Sequence, residues 1–222
     1  MNKVIFFVIF IVVGVSVTYY YIQPKEKSLG VINPVDLQPE MVDESLLLER
    51  KGYGHTIGEF SFKNQNGATI TQSDVDGKVY VAEYFFTTCG SICPIMNQQM
   101  KRVQKVYQRE PDLKILSFTV NPETDNVERM KRYAVQHEAN DDQWHFLTGT
   151  RENLYRLARK SYFVLKPAEA ENLGDAGGDF IHTNNFVLVD RQRRIRGYYD
   201  GTSTAGVDSL IYDIGRLLKE EN

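Results

Sequence analysis

Cys89 and Cys93 are the only cysteines among 222 residues, and both stand in Phe86-Thr87-Thr88-Cys89-Gly90-Ser91-Ile92-Cys93-Pro94. An apolar run that reads as a buried strand ends at Phe86, and helical periodicity starts at Pro94. Both sulfurs therefore belong to a strand-to-helix turn. Free N–H groups and partial positive charge at a helix start favour thiolate over thiol. If the turn is helical, the two sulfurs share one face a single turn apart, within reach of a disulfide or of joint ligation of one ion. A third donor would separate these chemistries, and His182 is the candidate. It lies in Asp179-Phe180-Ile181-His182-Thr183-Asn184, between a Gly-rich polar stretch from Lys166 to Gly178 and a strand starting near Phe186. Two thiolates and one imidazole suit copper, because soft sulfur selects Cu(I) and nitrogen keeps Cu(II) accessible. Zinc usually takes a fourth ligand, which the sequence does not plainly supply.

The elements that must position these groups alternate between strand and helix. Phe60-Ser61-Phe62 and Ala68-Thr69-Ile70 flank Asn66-Gly67, a hairpin signal. Val79 to Phe86 is nearly all apolar, as expected of a central parallel strand. Met96, Met100, Val103 and Tyr107 mark one helical face after the cysteines. Leu113 to Val120 reads as a strand, and Asp125 with Glu128 as a capping box opening the next helix. Trp144 to Leu147 is a short strand, with a helix from about Thr150. Phe186 to Val189 and Ile195 to Tyr199 flank a polar turn, and Val207 to Leu218 forms a last amphipathic helix. This order predicts an α/β sandwich of thioredoxin type with an N-terminal hairpin.

Composition bounds the rest. A 42% hydrophobic and 12% aromatic chain of this length can build one sizeable core, and two cysteines are too few for a disulfide scaffold. The formal charge of −3, with both signs interspersed, offers no basic face for a nucleic acid. From Val4 to Ile22 no residue is charged, and Tyr19-Tyr20-Tyr21 close the run. This length roughly matches the ~20 residues of a spanning helix, and tyrosines suit the headgroup boundary. A cleaved signal peptide is the competing reading, with Lys3 as its charged start and Gly14-Val15-Ser16 as its small-residue site. The continued apolar run favours a retained anchor. Residues 1–22 are thus read as a membrane anchor, 23–52 as a tether with one short docked segment, and 53–222 as the folded domain.

Other conspicuous residues have plainer readings. Met96 and Met100 sit at core spacing rather than in a copper site. His55, His137 and His145 are read as structural or solvated, and Arg191, Arg193, Arg194 and Arg196 as a solvated hairpin tip. Glu83, in an otherwise apolar strand, belongs either near a sheet edge or close to the site.

The cysteine stretch, the later Asn121-Pro122-Glu123-Thr124-Asp125 and His182 before the strand pair resemble the Sco/SenC proteins from about Tyr53 onward. The resemblance implies a membrane-tethered, thioredoxin-like domain that binds copper through Cys89, Cys93 and His182 and helps assemble the copper centre of cytochrome c oxidase. It also implies the bacterial cytoplasmic membrane, a single span, a periplasmic domain, and as partners the oxidase copper subunit and a thiol reductant. Three positions depart from the family pattern: Gly90 where proline is common, Asn121 where aspartate is common, and Ile181 where aspartate often precedes the histidine. The alternative is a thiol-disulfide oxidoreductase in which Cys89 and Cys93 are the redox-active pair, reducing cysteines of that same subunit. A peroxidase, a third activity of related folds, has no peroxide-specific feature here.

Overall fold

A computed structural model describes residues 2–22, 28–38, 41–42, 54–164 and 184–220. The folded domain opens with the expected hairpin, β1 (Ser61–Asn64) and β2 (Thr69–Thr71), paired antiparallel with Phe62 opposite Ile70. Gly67 has φ +74°, a left-handed conformation that glycine adopts without steric cost. The Asn64 side chain closes the loop by accepting from the Asn66 and Ala68 N–H groups, each at 3.0 Å.

Five further strands complete one sheet: β3 (Val79–Phe85), β4 (Leu113–Thr119), β5 (Trp144–Thr148), β6 (Asn185–Val189) and β7 (Ile195–Asp200). The strand order is β2-β1-β5-β4-β3-β6-β7. β3 runs parallel to β4 and antiparallel to β6, so it is central and wholly buried, as its apolar run predicts. Alternation along β3 then decides the two faces. Tyr80, Ala82 and Tyr84 pack with Leu154, Leu157 and Ala158 of the helix Arg151–Lys160. Val79, Val81 and Phe85 pack on the opposite face with Met96, Met100, Met130, Val207 and Leu210.

Three helices thus cover the second face: α2 (Ile92–Val106), α3 (Val127–Gln136) and, after α4 (Arg151–Lys160), α5 (Thr204–Lys219). Met96 and Met100 are 1% and 0% exposed, core residues as read. This helix–sheet–helix layering is the thioredoxin-type sandwich expected from the element order.

Several local expectations need correction. α2 starts at Ile92 rather than Pro94, so Pro94 is the third helical residue and Cys93 the second. The cap of α3 is Asn126, whose side chain accepts from Arg129 N at 2.9 Å, rather than Asp125. Asp125 is fully buried and its oxygens are taken by Thr87 and Thr119, so the next residue caps the helix. The arginine cluster is not a solvated tip. Arg191 donates to the Leu217 and Leu218 carbonyls at the end of α5, Arg193 meets Glu59, and Arg194 meets Asp190. Arg196 is 5% exposed and bridges Asp190, Glu220 and the carbonyls of Leu29 and Gly30. A cluster of like charges on the sequence says nothing about acidic partners that arrive from remote segments.

The same contacts dock residues 28–32 against the domain. Ser28 and Leu29 reach Glu220, and Ile32 N donates to Ile195 O at 2.8 Å. Leu46-Leu47-Leu48 lie outside the described residues. Upstream, α1 runs Asn2–Ile22, and its described side chains, residues 3–19, are exposed. Among the described residues no helix is long and apolar enough to cross a membrane.

Candidate metal and dithiol site

At the end of β3 the chain makes a turn, Phe86 to Cys89, closed by Cys89 N donating to Phe86 O at 3.1 Å. Cys89 then leads into the start of α2, and both cysteines are free thiols, 9% and 3% exposed. The Cys93 N–H, one of the donors that a helix start leaves without an intrahelical partner, points at Cys89 Sγ at 3.4 Å. Ser91, at the N-cap position, makes no cap bond with its side chain and instead lies 3.6 Å from the same sulfur. Cys89 Sγ therefore takes the capping role at α2.

This arrangement makes the pair asymmetric. Burial pushes the Cys89 thiol up, but donors from Cys93 and Ser91 outweigh it and bring the group down to about 7. Burial pushes Cys93 up, reinforced by the hydrogen bond it gives Cys89 and by the negative charge of Cys89 and Glu83. Cys89 is thus the sulfur favoured as thiolate, and Cys93 the one that holds its proton more tightly. Alkylation of the reduced, metal-free protein is expected to fall on Cys89 ahead of Cys93, with a midpoint at pH about 7. Equal rates at the two positions, read by peptide mass spectrometry, would contradict the asymmetry.

Glu83 is explained by the period of β3, which puts it on the face of Val81 and Phe85, beneath α2. It is not at an edge. The carboxyl is 1% exposed and accepts from Ser117 Oγ at 2.6 Å, while Ser117 Oγ accepts from Trp144 Nε1 at 2.7 Å. Burial pushes Glu83 up to about 7, with the Ser117 bond pulling the other way. Asn97 adds polar groups below the cysteines, donating to Cys93 O at 2.8 Å and Tyr133 Oη at 2.6 Å.

The second motif packs against the cysteine turn. Asp125 accepts from Thr87 N at 3.1 Å, from Thr87 Oγ1, and from Thr119 Oγ1 at 2.6 Å. Arg129 Nε donates to Thr87 Oγ1 at 2.7 Å. Read as a helix cap, Asp125 hides this role. The available signal was its place between a strand end and a helix, opposite a threonine beside the cysteine.

His182, with the Lys166 to Gly178 stretch, lies outside the described residues. Among the described residues no three His, Cys, Asp or Glu side chains form a group able to hold a metal ion. The other histidines sit as structural residues do. His55 is 4% exposed, bonded to Ser161 O and packed on Phe163. His137 ends α3 against Tyr133, and His145 is buried in β5 and lowered to about 4 by that burial.

A central parallel strand pair, flanking antiparallel strands and two thiols at a helix start define a thioredoxin-like dithiol protein. The SCO1/SenC family profile matches residues 49–219, and the chain belongs to that family. It is 31% identical to the SCO1 protein homolog of Bacillus subtilis (strain 168) over 163 residues, covering 72% of this chain and 81% of the relative. A SCO1/SenC family lipoprotein from Bacillus anthracis str. Ames superimposes with TM-score 0.65 at 30% identity, over 77% of this chain and 99% of that one. BsSco, described as a member of the Sco family of cytochrome c oxidase assembly proteins and as having a disulfide switch, gives TM-score 0.64 at 29% identity, over 76% and 96% of the two chains. Copper-bound ScoI of Bradyrhizobium japonicum shares the fold at 22% identity, with TM-score 0.58 over 74% and 99%.

Proposed function

We propose that this protein is a copper carrier for assembly of the cytochrome c oxidase copper centre, holding one copper ion through Cys89, Cys93 and His182. The observation that carries this reading is the paired sulfurs, Cys89 Sγ facing the Cys93 N–H at the start of α2. His182 is supported by topology. β6 is antiparallel to β3 with Tyr80 opposite Val189 and Ala82 opposite Val187, so the start of β6 lies beside the end of β3. The chain enters β6 through Asn184, whose carbonyl accepts from Gly201 N at 2.7 Å. A side chain at Gly201 would run into Phe186 and that carbonyl, so the close approach suits glycine. Asn184, the first described residue after His182, thus stands at the same end of the sheet as the cysteine turn.

Three ligands leave copper low-coordinate, so an acceptor's ligand can add before the carrier's ligands leave. Both thiols must lose protons on loading, which couples uptake to pH and to the redox state of the pair. The reduced protein is expected to take up one copper per chain, and Cys89→Ser and Cys93→Ser to lose it. Uptake unaffected by either replacement would defeat the reading.

The low value of Cys89 beside a protonated Cys93 supports a second role. Cys89 thiolate would attack a client disulfide, forming a mixed disulfide and releasing one client thiolate; Cys93, on losing its proton, would then attack Cys89 Sγ and release the second client thiolate. The net exchange is one client disulfide reduced to two thiols and the Cys89–Cys93 pair oxidised to one disulfide. We further read residues 1–22 as a single-span anchor of the bacterial cytoplasmic membrane with the domain on its periplasmic side. Its basis is the uncharged run Val4 to Ile22. Membrane sedimentation lost on deleting residues 1–22 is the expected result.

A further inference from the structure

We infer that Asp125 is a positioning residue: through Thr87 it holds the Phe86–Cys89 turn, and so keeps the Cys89 sulfur over the first turn of α2. Cys89 follows β3 after only three residues, Phe86, Thr87 and Thr88, and the turn is closed by a backbone bond from Cys89 N to Phe86 O. Asp125 adds a buried side-chain anchor to this turn. It is 0% exposed, and it takes both the N–H and the hydroxyl of Thr87, the residue next to Phe86 in the turn.

The network has one consistent direction of donation. Thr87 Oγ1 donates to Asp125 and accepts from Arg129 Nε, while Thr119 Oγ1 donates to Asp125 and accepts from Asn121 N at 3.0 Å. Asp125 N in turn donates to Asn121 O at 2.8 Å. The carboxyl thus ties the end of β4 and the loop before α3 to the cysteine turn. Three donors converge on its two oxygens, Thr87 N and Thr119 Oγ1 on one and Thr87 Oγ1 on the other, and an amide in its place would remove the acceptor that the Thr87 hydroxyl uses. This assigns the Asn121 to Asp125 motif a task at Cys89, although none of its side chains is proposed to touch the metal. The inference rests on the proposed use of Cys89 only in its consequence for copper.

Amide exchange in the reduced, metal-free full chain tests it, with the Cys89 amide measured against the Val81 amide in β3. Thr87→Val and Asp125→Asn are expected to speed Cys89 exchange relative to Val81 by about tenfold, the size of one lost hydrogen bond. Thr87→Ser, which keeps the hydroxyl, is expected to restore the native ratio. Asn126→Ala removes the cap of α3 and lowers overall stability, yet should leave the ratio unchanged. In copper-loaded protein the first two variants should also alter the thiolate-to-copper charge-transfer band, and Thr87→Ser should not. An unchanged ratio in Thr87→Val, or an equal rise in Asn126→Ala, overturns the proposal. Thr87→Val decides alone if Asp125→Asn fails to fold. Faster exchange in a protein that takes up no copper would leave the positioning intact and remove the proposed cargo.

Discussion

Replacing His182 with alanine is expected to weaken copper binding more than about a hundredfold, since even outer-sphere partners of ligands cost 10–100-fold, while dithiol exchange stays within about threefold of the native rate, less than one typical hydrogen bond. The two effects separate because the thiol chemistry of Cys89 is set within the turn. Its donors are Cys93 and Ser91, both within four residues of it along the chain. Copper is different. Under the proposed ligation, two thiolates alone would give a two-coordinate site suited to Cu(I), and the imidazole would be what retains Cu(II). Competition titration against a chelator reads the first effect, and the rate of reduction of a model disulfide reads the second. A variant that binds both oxidation states as the native protein does would remove His182 from the site. One that loses dithiol exchange as well would mean the histidine acts through the fold rather than as a ligand.

Replacing Glu83 with glutamine is expected to stabilise the reduced, metal-free protein at pH 8 by roughly 3 kcal/mol relative to pH 4.5, using 1.36 kcal/mol per unit of pKa. The sign follows from the raised carboxyl, about 7 in the fold against 4.5 for the free group. Between these values the folded state holds a proton that the unfolded state has released, so stability falls as pH rises through the window and is flat above it. The contribution of Glu83 is fully present below pH 4.5 and lost by pH about 7. Glutamine keeps an acceptor for Ser117 Oγ and carries no charge to bury. Urea unfolding of both proteins at the two pH values isolates the term, because the other titrating groups are common to both. A difference between the proteins that does not change with pH would show that Glu83 is not held protonated by its burial. A native Glu83 that costs stability at neutral pH is consistent with service at the cysteine site, since its charge also bears on Cys93.

The sequence carried the frame of this site more fully than its interior. The strand before Cys89 and the helix after Cys93 are legible because hydrophobic period depends on local sequence, and the period-two rule alone puts Glu83 on the face of Phe85. Choosing between an edge and the site needed the neighbours of β3, which are set by pairing with β4 and β6. The start of α2 moved from Pro94 to Ile92 because proline tolerates several first-turn positions; what fixes the start is the Cys93 N–H given to a sulfur. Asp125 passed for a cap because caps and buried acceptors use the same residue type. Arg196 looked solvated because Asp190, Glu220 and residues 29 and 30 meet it only in three dimensions.

X-ray absorption at the copper edge of the loaded, reduced full chain tests the ligand set most directly. The account predicts two sulfur and one nitrogen neighbours at copper, with the nitrogen missing in His182→Ala. Copper surrounded by oxygen and nitrogen alone, or a spectrum identical in the two proteins, would contradict it.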